Sequence, residues 1–324
     1  MSPTTPTPDS PTLVLGTRGS ELALVQATTT EALLSRTFPQ LTLVRNIIKT
    51  TGDRRTDVAL SDVAKAEGIF DKGVFIKELE QALDSGDIDI AVHSLKDLPT
   101  VLDARFSLAA VLERAPVRDA FVCRSPGGLD ALPPGARIGT SSVRRARQIE
   151  WMRPDLTVVD LRGNVPTRLR KLAEEDVYDA ILLAEAGLVR LGYLPATATT
   201  PDETITGIPD LHVQRLEESV FYPAAGQGAI GLEIRADDVP SRGRAEAIGH
   251  RPTWLRITAE REFLRLLDAG CHTPVGVFSS LVGDELQLQA RVFPEAGGAP
   301  QSGAASGPAH DPLALAQQLF QSLS

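Results

Sequence analysis

Apolar residues in this chain fall into short runs that end in glycine-rich or charged turns, and the runs alternate with stretches of helical period. Leu13-Val14-Leu15 reads as a strand. Residues 20–33 follow as an amphipathic helix with Leu22, Val25, Thr29 and Leu33 near one face, and 42–48 as a second strand, which makes a βαβ unit. Residues 74–83 keep a helical register through Phe75, Leu79 and Leu83, and Gly86 stands where a helix commonly stops. Ile88, Ile90, Ala91 and Val92 then form a run covered on both faces, closed by Pro99. Strand patterns recur at 107–112, 120–122, 156–161, 180–184 and 230–234, with helices after 142, after 164 and over 185–191. A helix over 254–267 buries Leu255, Ala259, Phe263 and Leu266, strands follow at 275–281 and 285–292, and 313–323 closes the chain as a helix. Three stretches carry no such period. Residues 50–73 read as a long lid, 197–207 as a polar loop, and the Gly/Ala/Ser/Pro-rich 294–310 as a flexible loop.

Strands alternating with helices predict an α/β fold with largely parallel sheets. The grammar of the first third repeats in the second, and the charged link 113–119 and the glycines of 222–229 make two crossings between lobes. The expected architecture is two periplasmic-binding-protein-like α/β domains with a hinge, plus a smaller α+β C-terminal domain. The boundaries predicted are 12–113 with 226–246 for the split first lobe, 118–222 for the second and 251–324 for the third, after a disordered tail over 1–11.

At 324 residues the chain exceeds one hydrophobic core, in keeping with several domains. A net charge of −9 disfavours nucleic acid as a partner, so any anion site must be a local concentration of arginine and lysine. The two cysteines, Cys123 and Cys271, are far apart and lack the spacing of a zinc site or a disulfide framework, so no metal is expected. The amino terminus is Pro/Thr-rich without a basic start, and no apolar run would span a bilayer, which predicts a cytoplasmic protein, monomeric and without a membrane partner.

Chemistry concentrates in the turns. His93, Lys96 and Asp97 lie in or beside the loop leaving the 88–92 strand, where ligands bind in open α/β sheets; a solvated ion pair is the competing reading. Gly16-Thr17-Arg18-Gly19-Ser20 places a cation and an N-cap at a helix start, suited to an anion or simply to a tight turn. Arg144, Arg145, Arg162 and Arg168 repeat that placement after two further strands. Guanidinium groups at the unfavourable end of a helix dipole point to carboxylate ligands, against the alternative of a solvated basic face. Cys123 reads as a buried strand residue. Cys271, in Gly270-Cys271-His272-Thr273-Pro274, reads as a reachable loop thiol or a packed one.

Taken together, 15–23, 91–99, 138–145, 161–168, 223–231 and 270–276 resemble the hydroxymethylbilane synthase (porphobilinogen deaminase) family over nearly the whole chain. The resemblance implies a transferase of tetrapyrrole biosynthesis. Such an enzyme joins four porphobilinogen molecules head to tail with loss of ammonia and releases hydroxymethylbilane by hydrolysis. It also implies a dipyrromethane cofactor held as a thioether by Cys271, and Asp97 as the catalytic carboxylate. Arg18, Ser20, Lys96, Ser142, Arg144, Arg145, Arg162, Gly163 and Arg168 match family positions that hold the acetates and propionates of cofactor and substrate; Gln26, Asp53, Lys72, Phe75 and Gln227 match less direct ones. The chain departs from the family in a longer spacing between Lys65 and Lys72. The rival reading is a solute-binding module that closes two lobes on a carboxylated ligand without chemistry, which has no use for a loaded Cys271.

Overall fold

Every strand-to-helix turn singled out above ends on the carboxyl side of a parallel strand. A computed structural model of the chain describes residues 11–50, 73–197, 203–268 and 273–323. The chain order opens with β1 (Thr12–Arg18), α1 (Glu21–Thr37), β2 (Thr42–Ile48), α2 (Gly73–Ser85), β3 (Ile90–Ser94) and β4 (Phe106–Val111). It continues with β5 (Asp119–Cys123), β6 (Arg137–Gly139), α3 (Val143–Met152), β7 (Thr157–Val159), α4 (Val165–Glu174), β8 (Ala180–Ala184), α5 (Glu185–Arg190), β9 (Glu203–Ile205) and β10 (Ile208–Arg215). Then come β11 (Ile230–Arg235), α6 (Val239–Ala247), α7 (Arg251–Leu266), β12 (Val275–Val282), β13 (Glu285–Val292), β14 (Gln301–Pro308) and α8 (Pro312–Ser322). Two compact units result, Met1–Glu113 with Ala229–Trp254, and Arg114–Gly228 with Leu255–Ser324.

The first unit holds a five-stranded sheet in the order β2-β1-β3-β11-β4, in which β1 is parallel to both β2 and β3 and β11 returns antiparallel. Strand β3 alternates between two cores. Ile90 and Val92 pack with Leu13, Leu15, Leu34 and Leu232, whereas Ala91 joins Leu79, Leu83, Ile88 and Phe106 beside α2. Burial on both faces is why this stretch is a continuous apolar run and not an alternating one.

In the second unit a six-stranded sheet runs β7-β6-β8-β5-β10-β9, with β6 parallel to β7 and β8 and the last three strands antiparallel to their neighbours. Cys123 is a buried, free thiol on β5, as its apolar setting predicts. The unit's C-terminal part is the three-stranded antiparallel sheet β12-β13-β14, on which α8 packs its Leu315 and Leu319 against Leu286 and Leu288. Glu260 on α7 ties this part to the rest of the unit. Its carboxylate accepts from Arg114 at 2.6 and 2.9 Å, from the Gly226 amide at 2.8 Å and from the Ser279 hydroxyl.

Two expectations need correction, and one helix goes unread in the sequence. The stretch 294–310 is not a loop throughout, because Gln301–Pro308 pairs residue for residue with β13. Gly303 is held small by packing: a Cβ there would stand 3.0 Å from the Leu319 and Leu323 side chains of the covering helix end. The polar stretch 197–207 ends in a strand, Glu203–Ile205, whose Glu203 is buried against Arg215 at 2.6 and 2.9 Å. A helix over Val239–Ala247 was not anticipated, although Asp238 caps it and proline opens its first turn. The lid 51–72 with Asp53 and Lys72, and Cys271, lie outside the described residues.

Candidate functional site

In the first unit, parallel pairing places the carboxyl ends of β1 and β3 on one sheet edge, since Gly16 is level with Ala91. That edge brings the Arg18 turn and the Lys96-Asp97 turn together as neighbours on one rim. Ser20 accepts a hydrogen bond from the Ala23 amide at 3.4 Å and so starts α1 as predicted. Arg18 is half-buried at the end of β1. Beyond β3 the chain makes one 3-10 turn, Leu95–Asp97. Leu95 and Leu98 are each 1% exposed, and the Leu95 amide donates to the Ala229 carbonyl at 3.0 Å. Burying two leucines contributes about 2 kcal/mol each, enough to hold the turn against the cost of fixing its backbone. Lys96 and Asp97 are left half-buried between these anchors. The Asp97 carboxylate makes no hydrogen bond or ion pair among the described residues. Gln26 is nearly fully buried and exchanges hydrogen bonds with Ser94 at 2.9 and 3.1 Å, so it braces the end of β3 from α1. His93 is buried as well, its Nε2 2.8 Å from Glu233 Oε2, which fits a structural hydrogen-bonding part. Phe75 falls in the first turn of α2.

In the second unit the carboxyl ends of β6, β7 and β8 share an edge with the amino end of β5, where Asp119 is level with Ala184. Ser142 occupies the N-cap of α3 in extended conformation, but its hydroxyl makes no capping bond. Arg144 and Arg145 are each only 5% exposed. Both converge on Asp119, Arg144 Nη1 at 2.8 Å and Arg145 Nη2 and Nε at 2.6 and 3.0 Å, and both also donate to backbone carbonyls, of Tyr222 and Leu182. Burial would raise the Asp119 carboxyl, yet the two guanidinium groups overcome it and hold the group at about 2. Gln227, fully buried, donates to the Val117 carbonyl at 2.7 Å and to Asp119 at 3.2 Å, while its Oε1 accepts nothing among the described residues. The two arginines read from the sequence as ligand cations thus have a counter-ion inside the fold.

The other cations stand differently. Arg162 is half-buried after β7, its Nε 3.6 Å from Asp160, and Arg168 donates to the Gly163 carbonyl at 2.8 Å. Gly163 sits at φ +115°, a left-handed conformation in which a Cβ would also stand 2.7 Å from Thr167, so only glycine fits this turn. Sequence reasoning missed Arg190, at the end of α5. It is half-buried, and its one hydrogen bond among the described residues is to the Gly228 carbonyl at 2.7 Å. Burial lowers it to about 10, so it is still charged at neutral pH, with no carboxylate among the described residues to offset the desolvation. A basic residue in the last turn of a helix is expected there to complement the dipole, which is why it raised no signal. Nearby Glu185, fully buried, is instead fully engaged by Arg118 at 2.8 and 3.2 Å and by Arg215.

Within the first unit, the half-buried Asp97 carboxylate, without a partner among the described residues, shares a rim with the Arg18 and Lys96 cations. Such a rim suits a ligand carrying both N–H donors and carboxylates, and a dipyrromethane, with pyrrole N–H groups and acidic side chains, is of that type. The half-buried guanidinium groups of the second unit suit carboxylates likewise.

Comparison with known proteins agrees. Residues 13–242 match the family model described as porphobilinogen deaminase, dipyromethane cofactor binding domain, and residues 254–323 match porphobilinogen deaminase, C-terminal domain. The porphobilinogen deaminase of Roseiflexus sp. (strain RS-1) is 45% identical over 312 residues, covering 95% of this chain and 96% of that protein. That of Desulforudis audaxviator (strain MP104C) is 44% identical over 307 residues, covering 95% and 92%. The strand-end carboxylate and arginines described above therefore sit in a chain that belongs to the porphobilinogen deaminase family, enzymes with a dipyrromethane cofactor-binding domain.

Proposed function

We propose that this chain condenses four porphobilinogen molecules head to tail, releasing ammonia at each addition, and frees hydroxymethylbilane by hydrolysis, with a dipyrromethane primer joined to Cys271 as a thioether. The observation that carries the reading is the Asp97 carboxylate, fixed between two buried leucines at the end of β3 and hydrogen-bonded to nothing among the described residues. When bound, the primer supplies a nucleophilic pyrrole α-carbon. In porphobilinogen the aminomethyl C–N bond breaks, ammonia departs and an azafulvenium cation remains. That methylene carbon is where the new C–C bond would be made, and Asp97 would take up the α-proton released in making it. Asp97 faces the pyrrole N–H, stabilises the cation by charge and accepts or returns protons there. Arg18, Lys96, Arg162, Arg168 and Arg190 hold acetate and propionate groups, and Ser20, Ser142 and the Gly163 backbone complete those contacts. Arg144, Arg145 and Gln227 support the site through Asp119, and Gln26 supports it through Ser94. Asp53, Lys72 and Phe75 belong to the substrate side by their match to the family pattern. The acidic, cysteine-poor composition favours a monomer working in the cytoplasm. Among the described residues no helix is long and apolar enough to cross a membrane.

Intact-protein mass spectrometry tests the reading most directly. The purified chain is expected to be heavier than its sequence by one dipyrromethane, and Cys271→Ser to lose that excess. An unmodified mass in active protein would overturn the cofactor assignment. Arg190→Leu removes a charge-assisted contact worth about 1.5 kcal/mol or more, so the KM for porphobilinogen should rise roughly tenfold in steady-state assays. An unchanged KM would place Arg190 outside the substrate contacts.

A further inference from the structure

At the strand that leads into the Asp97 turn lies a buried pair of ionisable groups that no step above uses. His93 Nε2 on β3 stands 2.8 Å from Glu233 Oε2 on β11, and the two side chains are 4% and 0% exposed. Gly231 is level with His93 and Glu233 with Ala91, so the bond runs diagonally between adjacent strands and locks the last residues of β3 to β11. Glu233 Oε1 is buried and accepts no hydrogen bond among the described residues. Glu80, half-buried on α2, feels the charges of Glu233 and His93, and those of Asp103 and Arg105, which precede β4. Arg105 is itself paired with Asp103 and Asp84. Burial first, and the Glu233 carboxylate second, push Glu80 up to about 7, against the opposing His93. His93 stands two residues before Leu95, where the turn bearing Asp97 begins.

We propose that His93 and Glu233 are positioning residues for Asp97, fixing the carboxyl end of β3 by the hydrogen bond that ties it to β11. The inference rests on Asp97 being the working carboxylate. A carboxylate displaced by a fraction of an ångström from the pyrrole N–H loses transition-state stabilisation while the arginines still hold the substrate, so the defect falls on kcat and spares KM.

The test compares His93→Phe and His93→Gln with the parent chain and with Asp97→Asn. His93→Phe should lower kcat by about tenfold to a hundredfold with KM within twofold and cofactor loading by intact mass unchanged. His93→Gln, whose amide can still donate to Glu233, should recover part of the loss. If His93→Phe fails to fold, His93→Gln decides alone by the same split of kcat against KM. Parent-like kcat in the His93 variants, beside an inactive Asp97→Asn, overturns the positioning inference and leaves the function intact. Turnover surviving in Asp97→Asn removes its premise and the inference with it.

Discussion

Replacing Asp97 by Asn is expected to cost about a thousandfold in kcat while leaving fold and primer in place. Asparagine keeps the size and planarity of the carboxylate but cannot carry the charge that opposes a cationic ring, and it is no base at neutral pH. Removing a preorganised electrostatic group costs on the order of 10²–10³ in rate, and losing proton transfer at the same atom adds to it. The fold should tolerate the change because Asp97 makes no hydrogen bond or ion pair among the described residues and the turn is held by Leu95 and Leu98 instead. The measurements are steady-state turnover of porphobilinogen, an intact mass that retains the primer, and an unchanged urea midpoint. Activity within tenfold of the parent would remove Asp97 from the chemistry.

How far the sequence foretold this arrangement depended on whether a signal was local. Strand β3 was legible because burial on both faces leaves an unbroken apolar run, and Pro99 marks its end. The Leu95–Asp97 turn followed from it, since only the placement of a strand is needed to place the loop behind it. Strand β14 was not legible. Its alanines, serines and glycines carry no hydrophobic period, and their purpose is set by β13 and α8, which contact them through space. Helix α6 had a local cue in Asp238 and Pro240 but a weak apolar face. The arginines show the same divide. That Arg144 and Arg145 stand at a helix start was readable, whereas their counter-ion lies on β5, 25 and 26 residues earlier, and no spacing rule joins them. Arg190 was hidden by the opposite effect, since a favourable helix-end position accounted for it without a ligand.

Asp119→Ala is expected to be the most damaging single truncation of the second unit, lowering unfolding free energy by about 3–5 kcal/mol at pH 7. Removing the carboxylate leaves two guanidinium groups, each 5% exposed, side by side without a counter-ion, and like charges in a poorly solvated interior repel strongly. The sequence reading assigned those charges to a ligand; the fold neutralises them first, so they are held in place before any substrate arrives. Acid should mimic the mutation. The folded Asp119 carboxyl is held near 2, below the 3.8 of a free aspartate, so its contribution is fully present above about pH 4 and is lost as pH falls through about 2. That difference corresponds to about 2 kcal/mol of the total. Urea midpoints of parent and Asp119→Ala should therefore lie far apart at pH 7 and draw together toward pH 2. A gap that is small at pH 7, or that does not narrow in acid, would mean that Arg144 and Arg145 do not depend on Asp119, and their place among the direct ligand contacts would be restored.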